Sequence, residues 1–326
     1  MGYVATASPT TLRQRAAILA AIRAFFAARG VLEVETPALS PAGVPDPALE
    51  SITATVHSLG QPPHYLHTSP EFAMKRLLAS GSGDIFQICR VFRDDELGRW
   101  HQPEFTLLEW YRVGWDDQQL MTEVEALFQT ALAAASGRAA AATHPSVRVR
   151  YADALQRAIG APAGAPTPVL VDKLRAAGID VPANLLHDAV LDLAFSTAVV
   201  ASFDAAAFTF VHDYPASQAA LARLKPGEPP VAARFEVFSG GIELANGFHE
   251  LTDASEQRRR FLAELETRRR AGRRVPPLDE DLLAALAAGL PDCAGVAVGV
   301  DRLVALAMGH DDVASAVSFA HRRPDA

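Results

Sequence analysis

A chain of 326 residues with 49% hydrophobic and 21% charged side chains is long enough to bury a substantial core and has the composition of a globular protein. Its 30 Lys and Arg against 38 Asp and Glu leave a net charge of −8, which argues against general affinity for nucleic acid and confines any RNA contact to a local patch. Two cysteines, Cys89 and Cys293, are too few for a disulfide framework or a cysteine-rich zinc module, so a reducing cytoplasm is the simplest setting and any metal must sit on oxygen ligands; no apolar run is long enough to span a membrane.

Leu12 to Arg29 reads as an amphipathic helix with Leu12, Leu19, Ile22 and Phe26 as its stripe, and Gly30 stands where a C-terminal cap belongs. Val31 to Thr36 alternates like a strand and stops at Pro37. Ser69-Pro70-Glu71 marks a helix start, with the helix running to about Ser80. Phe86 to Arg93 and Phe105 to Val113 are strand-like, joined by the charged loop Asp94 to Glu104, which is longer than a tight hairpin needs. From about 131 to 205 an Ala-rich stretch and an Ala/Pro/Gly stretch suggest a helical insertion within a single domain. Phe235 to Leu251 is again strand-like, Glu256 to Arg270 a polar helix, and Val296 to Gly309 a strand, glycine turn and helix. Strands that follow one another without intervening helices predict an α+β fold, an antiparallel β-sheet flanked by helices.

Four segments carry chemistry. Alternation puts Leu107, Glu109 and Tyr111 on one face of their strand, and a carboxylate beside a phenol suits an ammonium ligand; the plainer alternative is an exposed edge-strand face. Arg93 closes the preceding strand, from which a guanidinium can grip a carboxylate or phosphate. Glu243 and Glu250 are seven residues apart, so a regular strand sends them to opposite faces. A bend at Asn246-Gly247 would let both face one ligand and hold Mg²⁺, whereas a two-residue turn there would leave both in water. Arg302 lies in the first turn of the last helix, where a cation opposes the helix dipole unless a phosphate is bound beside Gly299. Eight arginines between Arg258 and Arg274 form either a solvated helix face or a docking patch for an acidic partner.

In this order the segments resemble the class II aminoacyl-tRNA synthetases of the lysyl branch over most of the chain. Leu12 to Pro37 is similar to motif 1, FRDDELGRWHQPEFTLLEWY to motif 2 and GVAVGVDRL to motif 3, with FEVFSGGIELANGFHEL and YPASQAALARL matching the same branch. The chain starts at motif 1, so no N-terminal anticodon-binding barrel is expected. The nearest resemblance is to the stand-alone lysyl-tRNA synthetase paralogues that modify elongation factor P. It implies a homodimer built through motif 1, and activation of lysine or (R)-β-lysine with ATP and Mg²⁺. It further implies transfer to a lysine side chain of elongation factor P, without tRNA anticodon recognition. The alternatives are a truncated lysyl-tRNA synthetase and a non-catalytic paralogue that binds lysine or nucleotide.

Residue by residue, the resemblance implies that Arg93 and Arg302 are catalytic, Arg93 holding the α-phosphate and activated carboxylate. Asp94, Asp95, Glu96 and His101 would contact adenine and the phosphate tail, Phe105 would stack on adenine, and Glu243, Leu244, Gly299 and Arg302 would receive ATP. Ser69, Pro70 and Glu71 match a substrate-contacting turn, although Ser69 and Glu71 also suit a plain helix cap. Glu109, Tyr111 and Glu250 would read amino groups beside Asn246 and Ala297, and Glu243 and Glu250 would hold Mg²⁺. Two departures stand out: Asp95 takes the place of a Glu, and Ala297 that of a Gly. One added methyl at a pocket floor discriminates by about 1–3 kcal/mol and favours a substrate shaped unlike α-lysine.

Overall fold

The computed structural model describes residues 4–59, 63–136 and 144–322, which divide between two compact units. The first unit, Met1–Trp115, Ala126–Ala141 and Thr252–Ala326, opens with α1 (Pro9–Ala27). Ser8 caps α1 by accepting from the Thr11 N–H. Its buried side is Ile18, Ile22, Phe25 and Phe26, while Leu12 and Leu19, expected on the stripe, are half-buried. β1 (Leu32–Glu33) is shorter than the alternation suggests, and a small sheet of β2 (Leu39–Ser40), β3 (Thr53–Ala54) and β4 (His64–Leu66) follows. Then come α2 (Glu71–Ala79), β5 (Ile85–Phe92) and β6 (Glu104–Val113).

The helix α3 (Asp117–Ser136) starts in the second unit, Asp116–Glu125 and Ala142–Leu251, and ends in the first. Residues 137–143 of the Ala-rich stretch lie outside the described residues. The second unit continues with β7 (Ser146–Arg150), α4 (Tyr151–Ile159), α5 (Thr167–Ala176) and α6 (His187–Ala194). It ends with β8 (Phe208–Pro215), β9 (Leu224–Lys225), β10 (Val231–Ser239) and β11 (Ile242–His249). Back in the first unit lie α7 (Ala254–Arg270), α8 (Glu280–Gly289), β12 (Cys293–Gly299) and α9 (Val300–Ala307). The stretch 131–205 therefore supplies a strand as well as helices, and the chain forms two compact units where composition suggests one domain with an insertion.

Strand order in the first unit is β1-β5-β6-β12, and in the second β11-β10-β8-β7 with β9 on β10. The fold is α+β as expected, but β1 with β5 and β7 with β8 run parallel, so the pairing is mixed. In the first unit Phe26 stacks on Phe86 at 4.5 Å and meets Trp110 edge-on at 5.2 Å, pinning α1 to β5 and β6. In the second, the parallel rings of Tyr151 and Phe195 lie 4.9 Å apart inside a separate core.

The arginine row on α7 resolves into ion pairs. Arg259 and Arg260 pair with Glu256, Arg269 and Arg270 with Glu266, and Arg258 with Glu280 of α8. Arg268 differs: it is buried, and it grips the Glu50 carboxylate at 2.5 Å and the carbonyls of Asp46 and Leu49. A solvated helix face with one structural arginine is the outcome.

Phe26→Ala should lower unfolding free energy by about 3–5 kcal/mol in a denaturant titration, the cost of emptying a packed aromatic site. Arg268→Met should cost about 1–3 kcal/mol by leaving the half-buried Glu50 carboxylate and two backbone carbonyls without their donor, while Arg270→Glu should change stability by no more than about 0.5 kcal/mol.

Candidate active site

The middle strand of the first unit organises a polar face. The pleat puts Phe105, Leu107, Glu109 and Tyr111 on one side of β6. Ladder register sets Glu109 between Gln87 of β5 and Ala297 of β12, and Leu107 between Cys89 and Gly299. Ala297 therefore stands beside the carboxylate that the sequence assigns to an amine, and is half-buried. Arg93 continues the face of Val91 one step past the end of β5.

Glu109 is 2% exposed, which excludes the exposed-edge alternative. Its Oε2 accepts from Ser69 Oγ at 2.6 Å and its Oε1 from the Tyr111 hydroxyl at 2.7 Å. Ser69 Oγ also accepts from the Glu71 N–H at 3.0 Å, so one hydroxyl closes the turn that starts α2 and clamps Glu109. Pro70 sits at the cap position, and Glu71 opens the helix and pairs with Lys75 Nζ at 2.6 Å. Lys75, which sequence reasoning missed, is 1% exposed; the Glu-to-Lys spacing of four was its signal.

Burial pushes the Glu109 carboxyl up to about 7, the charge of Glu71 adds to the shift, and the two hydroxyls and Lys75 oppose it. Glu264 on α7 is likewise pushed up by burial, to about 8, with Asp46 and Glu71 adding and Arg260 opposing. A buried carboxylate that is costly to ionise alone, and that is already oriented by hydroxyls, is a receptor for an ammonium group. Tyr111 spends its hydroxyl on Glu109, so it acts through that carboxylate.

Arg93 donates through Nε to the Thr68 carbonyl at 3.4 Å, lies 5.0 Å from the centre of the Phe105 ring and sits 3.5 Å from Glu96. Asp95 has φ +62°, a left-handed conformation that Asp adopts more readily than Glu, which accounts for the shorter acid there. Glu96 is the carboxylate that reaches Arg93. The loop is anchored by the Asp94 N–H on the Glu50 carbonyl at 2.9 Å, and so indirectly by Arg268.

Arg302 of α9 donates through Nε to the Trp100 carbonyl at 3.0 Å, bracing the same loop. Burial holds His101 below its usual value, with Arg302 adding to the effect, so its imidazole is neutral near pH 7. A Cβ on Gly299 would rest in ordinary van der Waals contact on the Arg302 stem, 3.7 Å from its Cδ, so Gly299 and the Arg302 side chain lie side by side. The start of α9 is fixed by buried Asp301, which pairs with Arg15 at 2.6 Å and accepts from the Thr106 N–H at 3.0 Å.

In the second unit the spacing of Glu243 and Glu250 is resolved differently from expectation. No turn or bend forms at Asn246-Gly247; the hairpin turn is Gly240-Gly241, and β11 runs straight through both residues. The register instead slips at Val237/Phe238: Val237 faces Ala245 and Phe238 faces Glu243, leaving Leu244 as the extra residue of a bulge. Glu243 is thereby returned to the face of Asn246, Phe248 and Glu250. Leu244 is buried, Glu243 and Asn246 are half-buried, and Glu250 is 1% exposed.

Among the described residues no group of three or more His, Cys, Asp or Glu is placed to hold a metal. Mg²⁺ needs only one or two carboxylates when phosphates and water complete its shell, so Glu243 fits an ion carried in with a triphosphate. Sequence reasoning missed Arg234, Glu236 and Tyr214; the last two lie within the quoted motifs and Arg234 immediately precedes one, and the three form one network: Arg234 Nη2 donates to Glu236 Oε1 at 2.5 Å and the Tyr214 hydroxyl to Glu236 Oε2 at 2.7 Å.

A family profile described as "tRNA synthetases class II (D, K and N)" matches residues 2–323, and the chain belongs to that family. It is 47% identical over 329 residues to the elongation factor P–(R)-β-lysine ligase of Salmonella paratyphi B, with 96% of each chain covered. It is equally similar, over the same share, to the proteins of that name from Salmonella enteritidis PT4 and Salmonella typhimurium.

Because Glu109 ionises near pH 7, an ammonium ligand should bind less well below it, the apparent KM rising toward about tenfold per pH unit. Tyr111→Phe, which deletes a hydrogen bond that stabilises the ionised form, should move this dependence to higher pH in ligand-dependent exchange of ATP with pyrophosphate.

Proposed function

We propose that this chain activates a lysine, preferably the (R)-β isomer, with ATP and transfers the lysyl group to a lysine side chain of elongation factor P. The observation that carries the reading is the buried Glu109 with its two hydroxyl clamps, an ammonium receptor, in a chain 47% identical along its length to ligases of that name. Glu71, Ser69 and Tyr111 complete the amine side of Glu109, and Glu250 and Asn246 are proposed separately as substrate residues on the strength of the family match. Ala297, where related lysyl enzymes have Gly, shapes the floor beside Glu109 for a β-amino acid.

In the first step a substrate carboxylate oxygen attacks the α-phosphorus in line, pyrophosphate leaves and an aminoacyl adenylate forms. Arg93 orients the carboxylate and α-phosphate, Phe105 stacks on adenine, and Asp94, Asp95, Glu96 and His101 line the nucleotide. Gly299 gives the phosphate chain access to Arg302. Catalysis is positioning and charge neutralisation, with no protein nucleophile. Mg²⁺ bound beside Glu243 and Leu244 would neutralise triphosphate charge. In the second step an acceptor lysine amine attacks the adenylate carbonyl, AMP leaves and the amine proton passes to solvent.

The proposed setting is the cytoplasm, supported by two free thiols and, among the described residues, by no helix long and apolar enough to cross a membrane. A homodimer through α1 and β1 is proposed from motif 1, with Leu32 there 55% exposed.

Intact-mass spectrometry of elongation factor P and of tRNA, after incubation with ATP, Mg²⁺ and each lysine isomer, tests the reading. One added lysyl group on the protein is expected; charging of tRNA alone would make the chain a lysyl-tRNA synthetase. Arg93→Ala should cut lysine-dependent pyrophosphate exchange by about 10²-fold or more, with unfolding unchanged.

A further inference from the structure

We infer that Arg234 is a positioning residue that sets Asn246 to read the carboxyl oxygens of the amino-acid substrate, an inference that rests on the activation reading above. Arg234 on β10 is held from every side of its guanidinium. Nη1 donates to the Gln218 carbonyl at 2.8 Å, Nη2 to Glu236 Oε1 at 2.5 Å and Nε to Asn246 Oδ1 at 3.3 Å. The Tyr214 ring lies 4.7 Å from its carbon and the Phe248 ring 6.0 Å. Gln218 is itself tied to α6 by its side-chain amide on Asp192 at 2.7 Å.

This arrangement decides which way the Asn246 amide faces. A guanidinium only donates, so the group it meets must be the amide oxygen. The other half of the amide, Nδ2 with its two N–H donors, is turned away from Arg234. Asn246 is half-buried on the face that carries Glu243 and Glu250, so those donors remain within reach of a ligand. A lysine isomer at neutral pH carries ammonium groups, which only donate, and one carboxylate, which only accepts. An amide locked as a donor therefore matches the carboxylate, while Glu250 matches an ammonium group. A loose side chain in the same place would present either end and discriminate neither.

Lysine-dependent exchange of ATP with pyrophosphate, measured for the unaltered protein, Asn246→Asp, Arg234→Met and the double variant, tests the inference, with thermal unfolding measured for each. Asn246→Asp keeps an acceptor for Arg234 and loses the donor, so it should stay folded while the lysine KM rises by about tenfold to a hundredfold, the range for one lost hydrogen bond to a charged group. The ATP KM should stay within about twofold, and Arg234→Met should raise the lysine KM similarly. The double variant should be no worse than the worse single one, because both remove the same donor.

The diamine that lysine leaves on losing its carboxyl group provides the readout a merely structural role would not move: its inhibition constant should be the same in all four proteins. Additive losses in the double variant, or an equal loss of diamine binding, would overturn the inference while leaving the activation reading intact. If Arg234→Met fails to fold, Asn246→Asp decides, and an unchanged lysine KM would overturn the inference. No exchange by the unaltered protein with any lysine isomer would overturn both.

Discussion

A carboxylate in the middle of a sheet must be supplied with donors, and that requirement at Glu109 organises the first unit. Unpartnered, the group would cost several kcal/mol to bury; two hydroxyls aimed at its two oxygens make the position tenable. One hydroxyl belongs to the same strand, two residues on, and the other to the turn that starts α2. The second is the more consequential, because Ser69 also receives the Glu71 amide, so the helix start, the carboxylate and the Glu71–Lys75 pair are set by one side chain. Any ligand amine entering here meets a prepared acceptor whose charge the protein alone stabilises poorly.

The segment between β5 and β6 depends on a different device, a polar loop braced from several directions. Its backbone is held at Asp94 by the Glu50 carbonyl and at Trp100 by Arg302, and Arg268 secures the Glu50 segment from α7. Arginines distant in sequence thus share one task of keeping a charged loop in place, and only Arg93 and Arg302 among them stand where phosphate chemistry is expected. The neighbouring arginines of α7 satisfy acids on their own helix or on α8 and leave the loop alone.

Much of this was legible before any coordinates, and the failures have physical causes. A period of two placed Glu109 and Tyr111 on one face correctly, because β6 is regular over its length and paired on both sides. The same rule failed for Glu243, since a bulge is set by how two strands register, and nothing in the local composition at Leu244 announces one. The turn assigned to Asn246-Gly247 fell to Gly240-Gly241, where φ at Gly240 is +54° and a Cβ would meet Ala205 at 3.1 Å. Burial of Arg268 was invisible within a row of like residues, because its partner lies 218 positions away. The acid at position 95 looked like a defect until its left-handed backbone gave Asp a reason of its own.

The bulge at Leu244 also acts as a parity bit for the whole strand. Side chains on an unbroken strand obey an even count, so two groups seven positions apart can share a face only if one residue is skipped. One residue inserted at Gly247 with the bulge kept sends Glu243 through the sheet while Glu250 stays where it is, whereas deleting Leu244 removes the bulge and leaves the two glutamates an even count apart on one face. Drift in length is therefore quantised here: one residue can be lost at the bulge without consequence for the two faces, but a residue gained between the bulge and Glu250 exchanges them.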